Sequence, residues 1–356
     1  MTRLERFQKE LASHADAALI SSPQNQFYLS RLQYDDGYLL ILRDAAYLLA
    51  DFRYIEVARA KADPAFTVVL SEGGMNKTAA ALMKKHGAAS LWVEEADITL
   101  AVQKRLADAM ERVTLVQGVS EVLTQMRVCK DESEIAAIAA AQELTDAAFS
   151  HILDFIRPGV REIDVALELE FFMRKNGAQG LAFDTIAVSG AASSLPHGVP
   201  RDRVLEKGFL TMDFGARFGG YCSDMTRTVV IGKADAEMKR LYETVLRAQR
   251  AALDAAAGGI GCKALDAVAR DIIHGEGYVG RFGHSLGHGV GIDIHEAPRV
   301  SSAAPEGATL LPGHVVTVEP GIYIPGKYGT RIEDLVVICE NGIKNLTKSP
   351  KELIEI

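Results

Sequence analysis

The stretch TMDFGARFGGYCSDMTRT, residues 211–228, decides how the last third of this 356-residue chain is read. Asp213 ends an apolar run, where a buried charge needs a partner. Asp224 lies as far beyond Phe218-Gly219 as Asp213 lies before it. If Phe218-Gly219 is the tip of a tight hairpin, the two aspartates face each other across it, with Cβ atoms roughly 4.5–5.5 Å apart. That spacing suits two carboxylates holding one metal, or two metals roughly 3.5–4 Å apart.

Working outward, GHSLGHGVGIDIHE at 283–296 adds His288, and VVTVEPGIYIPGKYGTRIEDLVV at 315–337 adds Glu319 and Glu333. These two glutamates are symmetric about Gly326, between the strand-like runs VVTV and LVV, with Pro and Gly confined to the connection. Two hairpins would thus each present an acid pair, with an imidazole from a glycine-rich turn. Four carboxylates converging in a low-dielectric site repel one another by several kcal/mol unless cations neutralise them. Each residue has a plainer reading alone: Asp213 as a turn residue, Glu333-Asp334 as a solvated pair, His284 as a hydrogen-bonded histidine. Jointly they point to two divalent cations. An oxygen-rich set with one imidazole suits Mn²⁺ and also accommodates Co²⁺, Fe²⁺ or Zn²⁺.

The bulk composition bounds the alternatives. A hydrophobic content of 48% and a charged content of 24% describe an ordinary globular protein long enough for two cores. The net charge of −8, with no basic run, excludes a typical nucleic-acid binder. Cys129, Cys222, Cys262 and Cys339 lie far apart with no CxxC pattern, which predicts a reduced, cytoplasmic protein. Strand alternation turns Cys222 away from the aspartates. The N-terminal MTRLERFQKELASHADA reads as an amphipathic helix rather than a signal peptide, and no apolar run approaches the roughly 18 residues of a membrane span. The GHGVG run does not open a strand-to-helix phosphate loop, so a nucleotide site is rejected.

Short strands and helices alternate through the first third, with a hairpin expected around Arg43-Asp44 and helices over 1–14, 52–62, 75–86 and 100–110. This predicts an α/β layer domain. His14 and His86 stand alone there and read as surface residues. Long helices follow, over 130–157, 164–175, 241–257 and 262–275, with hairpins between them, an α+β arrangement of mainly antiparallel strands. The boundary is placed near Gln125–Cys129, giving domains of 1–127 and 128–356. Helix-helix-hairpin repeated twice gives a weak hint of pseudo-symmetry.

Five motifs now stand in order: LPHG at 195–198, MDFGARFGGYCSDMTRT at 212–228, GHSLGHGVGIDIHE at 283–296, TVEPGIY at 317–323 and GTRIEDLV at 329–336. The chain resembles the "pita-bread" metallopeptidases: Xaa-Pro dipeptidases (prolidases), aminopeptidase P and, more distantly, methionine aminopeptidase and creatinase. The first domain resembles their creatinase-type N-terminal domain, a ribonuclease-H-like layer, which methionine aminopeptidase lacks. Creatinase lacks the full ligand set present here.

The resemblance implies a metal set of Asp213, Asp224, His288, Glu319 and Glu333, with Asp224 and Glu333 bridging and Glu319 beside the activated water. It implies catalytic roles for His197 and His295, a proline pocket lined by His284, and supporting roles for Tyr323 and Arg331. Thr226 and Thr317 are expected as hydroxyl partners of the ligands. Arg299 would meet the substrate's free carboxylate. The implied reaction is metal-dependent hydrolysis of an Xaa-Pro bond by a metal-activated hydroxide, in a homodimer. The alternatives are aminopeptidase P acting on longer peptides, and a non-hydrolytic peptide-binding relative.

Overall fold

The computed structural model describes residues 1–34, 36–110 and 112–356. They form two compact units, Met1–Arg127 and Val128–Ile356.

In the first unit the elements run α1 (Arg3–Leu11), β1 (Ala17–Ile20), α2 (Pro23–Ser30), β2 (Gly37–Leu42), β3 (Ala46–Ala50), α3 (Ile55–Lys61), β4 (Thr67–Leu70), α4 (Met75–His86), β5 (Ser90–Val93), α5 (Leu100–Ala109), β6 (Thr114–Val116) and α6 (Val119–Val128). The six strands form one mixed sheet in the order β4-β3-β2-β1-β5-β6. The hairpin of β2 and β3 turns at Arg43-Asp44, with Ile41 opposite Ala46 and Leu42 N donating to the Ala45 carbonyl. Leu19, Leu40, Leu49, Leu91 and Leu106 make the core beneath it. Helix α2 was not expected, because Ser22-Pro23 reads as a strand stop. The same pair serves a helix start: the Ser22 hydroxyl accepts from Asn25 N, and proline fits the first turn. His14 stacks on Trp92 and His86 bonds the Tyr47 hydroxyl, both at the surface.

The second unit contains the same sequence of parts twice. Helices α7 (Glu132–Phe155) and α8 (Glu162–Lys175) precede β7 (Gly180–Leu181), β8 (Ile186–Ser189), β9 (Gly208–Phe214), β10 (Ala216–Phe218), β11 (Tyr221–Cys222) and β12 (Met225–Ile231). Helices α9 (Ala236–Ala255) and α10 (Cys262–Gly275) precede β13 (Gly287–Gly289), β14 (Glu296–Val300), β15 (Val315–Val318), β16 (Gly321–Ile324), β17 (Tyr328–Arg331), β18 (Asp334–Cys339) and β19 (Gly342–Asn345). The central sheets are antiparallel, β12-β9-β8 in one half and β14-β13-β15-β18-β19 in the other. Each half has its own core, one around Phe149, Leu169 and Phe214, the other around Val245, Leu265 and Val316. A capping box at Asp131 and Glu134 starts α7. Helix α9 begins at Ala236, earlier than the expected 241, because Asp235 caps it by accepting from Met238 N. Among the described residues no helix is long and apolar enough to cross a membrane.

Candidate metal centre

The two acid-bearing hairpins meet in the second unit, and their registers differ. In the second hairpin, Val318 pairs with Asp334 and Gly321 with Arg331. Glu319 and Glu333 therefore fall opposite each other in the gap between the two ladders, symmetric about Gly326 as the sequence reading expects. The first hairpin turns one residue later than expected. Phe218 pairs with Tyr221, so the tip is Gly219-Gly220, with φ of 57° and 83°. A two-residue turn with both φ positive suits a pair of glycines and matches the strand twist. In consequence Asp213 pairs with Thr226 and not with Asp224. Asp224 enters the site from a break in the ladder between β11 and β12. Gly215 allows this tight passage: a Cβ there would lie 2.0 Å from the Ser223 carbonyl oxygen.

A cavity of about 860 Å³ is lined by Asp213, Asp224, His288, Glu319 and Glu333, together with His197, His284, His295, Arg299 and Arg331. Asp224, His288 and Glu333 each offer a donor atom within 4.8 Å of the others. His288 Nδ1 donates to the Gly289 carbonyl at 3.0 Å, which leaves the Nε2 lone pair facing Asp224 and Glu319, each at 3.5 Å. Burial lowers the His288 pKa to about 4, so the ring is a neutral donor at physiological pH.

Behind these acids runs a set of hydrogen bonds. Arg331 Nη2 donates to Asp213 Oδ2, Nη1 to the Tyr323 hydroxyl at 2.8 Å, and Nε to the Thr226 hydroxyl at 2.9 Å. Thr226 in turn donates to Glu333 at 2.6 Å, and Thr317 donates to Glu319 at 3.2 Å. Tyr323 bonds His284 Nε2 at 2.9 Å, while His284 Nδ1 donates to the Ser285 carbonyl. Burial, with the positive charge of Arg331 added, lowers the His284 pKa to about 3. Tyr323, Thr226 and Thr317 thus stand behind the cavity wall and fix the groups that form it.

These residues fit divalent cations. Burial raises the Asp224 and Glu333 carboxyls well above the usual range, and the neighbouring carboxylates push them further. Burial likewise pushes Glu319 up to about 8. One guanidinium, Arg331, cannot neutralise four acids. Asp213 Oδ1 is buried with no hydrogen-bond partner, an acceptor left for something else.

Two family models match the chain: metallopeptidase family M24 over residues 136–340, and the creatinase/prolidase N-terminal domain over 3–129. The chain belongs to metallopeptidase family M24. A Xaa-Pro dipeptidase of Pyrococcus horikoshii is 40% identical to this M24 chain over 343 residues, 95% of the chain and 94% of the relative. The solved structure of a Xaa-Pro dipeptidase from Bacillus anthracis superposes with a TM-score of 0.95 at 40% identity, covering 99% of each chain. That of an X-Pro aminopeptidase from Thermotoga maritima gives 0.93 at 37%, covering 99% of this chain and all of the other.

The far wall of the cavity was not anticipated. Ile163, Ala166 and Glu170 from one face of α8, and Phe183 to Ile186 leading into β8, line it. Their helical spacing was legible, but nothing in the sequence says which face meets a cavity and which a core. The loop bearing His197 has its own anchor. Glu162, fully buried, accepts from Ser189 N and Oγ and from Arg201 N, Nε and Nη2.

Proposed function

We propose that this chain is a metal-dependent Xaa-Pro dipeptidase. The observation that carries the reading is the convergence of Asp213, Asp224, His288, Glu319 and Glu333 on one cavity with His197, His284, His295 and Arg299. The similarity to Xaa-Pro dipeptidases agrees with it. The four acids and the imidazole would hold two divalent cations, with Mn²⁺ favoured by the donor set. Bound there, they supply Lewis acidity to polarise the scissile carbonyl and to ease the deprotonation of water.

The chain's own groups do the remaining work. Glu319 takes the proton of the attacking water on a carboxylate oxygen and delivers it to the departing proline nitrogen. That nitrogen carries no hydrogen in the substrate, so the proton must be supplied. His197 and His295 donate towards the oxygen on which negative charge develops. His284, held neutral and fixed by Tyr323, forms the wall against the proline ring. Arg299 binds the substrate's free carboxylate and so favours dipeptides. A homodimer in the cytoplasm completes the reading; four unpaired cysteines support a reducing compartment.

The test is hydrolysis of Ala-Pro, Ala-Pro-Ala and Ala-Ala by the manganese-loaded protein, each repeated after chelation, with the oligomer sized in parallel. Turnover confined to Ala-Pro, lost on chelation and restored by Mn²⁺, supports a dipeptidase. The likeness to the T. maritima aminopeptidase supplies the second reading, and a preference for Ala-Pro-Ala would establish it and remove the role given to Arg299. No metal-dependent cleavage of any peptide would leave a binding protein.

A further inference from the structure

His295 reaches the cavity from the segment Gly291–Glu296, which joins β13 to β14, and its ring lies 4.4 Å from that of His288 in an edge-on arrangement. Among the described residues its side chain makes no hydrogen bond. Its direction is therefore set by its backbone and by the ring contact with His288, and the holding of that backbone becomes the question.

Two grips are visible. On one side the first hairpin holds the segment's start: Cys222 N donates to the Gly291 carbonyl at 2.8 Å, and Arg217 Nη2 to the Ile292 carbonyl at 3.1 Å. On the other side is Lys130, far away in sequence. Its Nζ lies 2.9 Å from Glu296 Oε2, with side-chain exposures of 1% and 8%, and it also donates to the Val128 carbonyl at 3.3 Å. The Lys130 backbone is fixed in turn, its N–H donating to the Gly313 carbonyl at 2.8 Å. Glu296 passes the constraint on. Its Oε1 accepts from Asp293 N at 3.1 Å, and its carboxyl group lies so close over Gly291 that a Cβ there would sit 2.5 Å from Oε2. The carboxylate thus ties Asp293 and Gly291 to the residue that follows His295. A lysine this deeply buried is held in place by its pairing with the acid.

We propose that Lys130 is a positioning residue: through its buried ion pair with Glu296 it fixes the Gly291–Glu296 segment and so aims the His295 imidazole into the cavity. The proposal rests on the role given above to His295. A displacement of about 1 Å in a catalytic group lowers turnover roughly 10²-fold, and loss of a supporting contact at a metal site costs about 10–100-fold. Lys130→Met should therefore lower kcat on Ala-Pro by about 10–100-fold, with bound metal unchanged and KM moved far less. Lys130→Arg should restore most of the loss.

The deciding measurement is a double-mutant cycle in the metal-loaded full-length protein. If Lys130 acts through His295, adding Lys130→Met to His295→Ala lowers kcat no further. A loss of equal size in both backgrounds overturns the proposal, as does an unchanged kcat in the single variant. Should Lys130→Met fail to fold, Glu296→Gln in the same cycle makes the test, since it removes the charge attraction while keeping an acceptor for Asp293 N. A second readout does not depend on peptidase activity. In the metal-stripped protein the His295 ring resonance, identified by its loss in His295→Ala, should shift in Glu296→Gln while that of His151 stays. A stationary His295 signal would also overturn the proposal. Failure of the wild-type protein to cleave Ala-Pro would instead count against the dipeptidase reading alone.

Discussion

Glu333 and Asp334 are neighbours in the chain, both buried, and they live in opposite electrostatic worlds. Glu333 faces the cavity among three other acids, and burial with their repulsion drives its pKa well up. Asp334, on the other face, accepts from Arg227 at 2.8 Å, from Lys351 at 2.7 Å and from Asn345 at 2.7 Å. Burial pushes its carboxyl up too, but the two cations more than offset that and hold it below the usual range. Arg227 is equally satisfied, donating also to Thr226, Glu333, Ser349 and Pro350 carbonyls. The same residue types therefore build two different things. Where the protein supplies matching charge, the acid is a structural tie; where it withholds it, the acid is left for the cation proposed above.

The comparison breaks most sharply at Glu333. On the proposed reading, in which Glu333 holds metal, Glu333→Gln should reduce metal-dependent turnover to background. Yet the metal-stripped variant should melt no lower than the stripped wild type, since a source of repulsion has gone. A variant with wild-type turnover, or one that melts well below the wild type when both are stripped, would mean that Glu333 is not reserved for cations. The mirror experiment is Asp334→Asn. It leaves Arg227 buried without its carboxylate and should cost roughly 3–5 kcal/mol of stability, measured by urea unfolding. A loss below about 1 kcal/mol, the level of an exposed pair, would erase the distinction. Between the two stands Thr226, whose hydroxyl links Arg331 to Glu333. Thr226→Val should weaken metal affinity or turnover by about 10–100-fold, read by metal titration, with little change in melting temperature.

The two hairpins show how far the sequence could be read. The second was legible to the residue, because Pro325-Gly326 marks a single turn and the apolar runs on either side fix the strands. The first was read one residue early, because Phe218-Gly219-Gly220 offers two possible tips and only the φ values choose between them. The acids of both hairpins nevertheless line the cavity, since a charge ending an apolar strand, as Asp213 and Glu319 do, is conspicuous wherever the partner lies. What was not legible came from contacts remote in sequence: the α8 wall of the cavity, the Glu162 anchor, and the pairing of Lys130 with Glu296 across 166 residues of chain. Read from the sequence, Lys130 is the first residue of the expected 130–157 helix, with nothing to mark it as buried. Helix α6 was missed for a different reason: its residues Val119–Val128 bury little besides Val119 and Leu123, so the apolar stripe is too narrow to announce itself.

The smallest effect tests the same contrast through pH. Glu319 is pushed up to about 8, chiefly by burial, with Asp213 adding repulsion and Arg331 and the Thr317 hydroxyl working the other way. In the unfolded chain a glutamate titrates near about 4.3. Between these values the folded, metal-free protein holds a proton that the unfolded chain has released, so stability must fall as pH rises. The contribution is fully present below about pH 4 and is lost by the time pH passes about 8. Stripped wild type should accordingly lose several degrees of melting temperature between pH 5 and pH 8 relative to stripped Glu319→Gln, which has no such proton to lose. Cations reverse the sign. They bind only deprotonated ligands, so the loaded protein should gain stability over the same interval. Parallel slopes for stripped wild type and variant would show that Glu319 is already matched by protein charge, and it would then belong with Asp334 and not with Glu333.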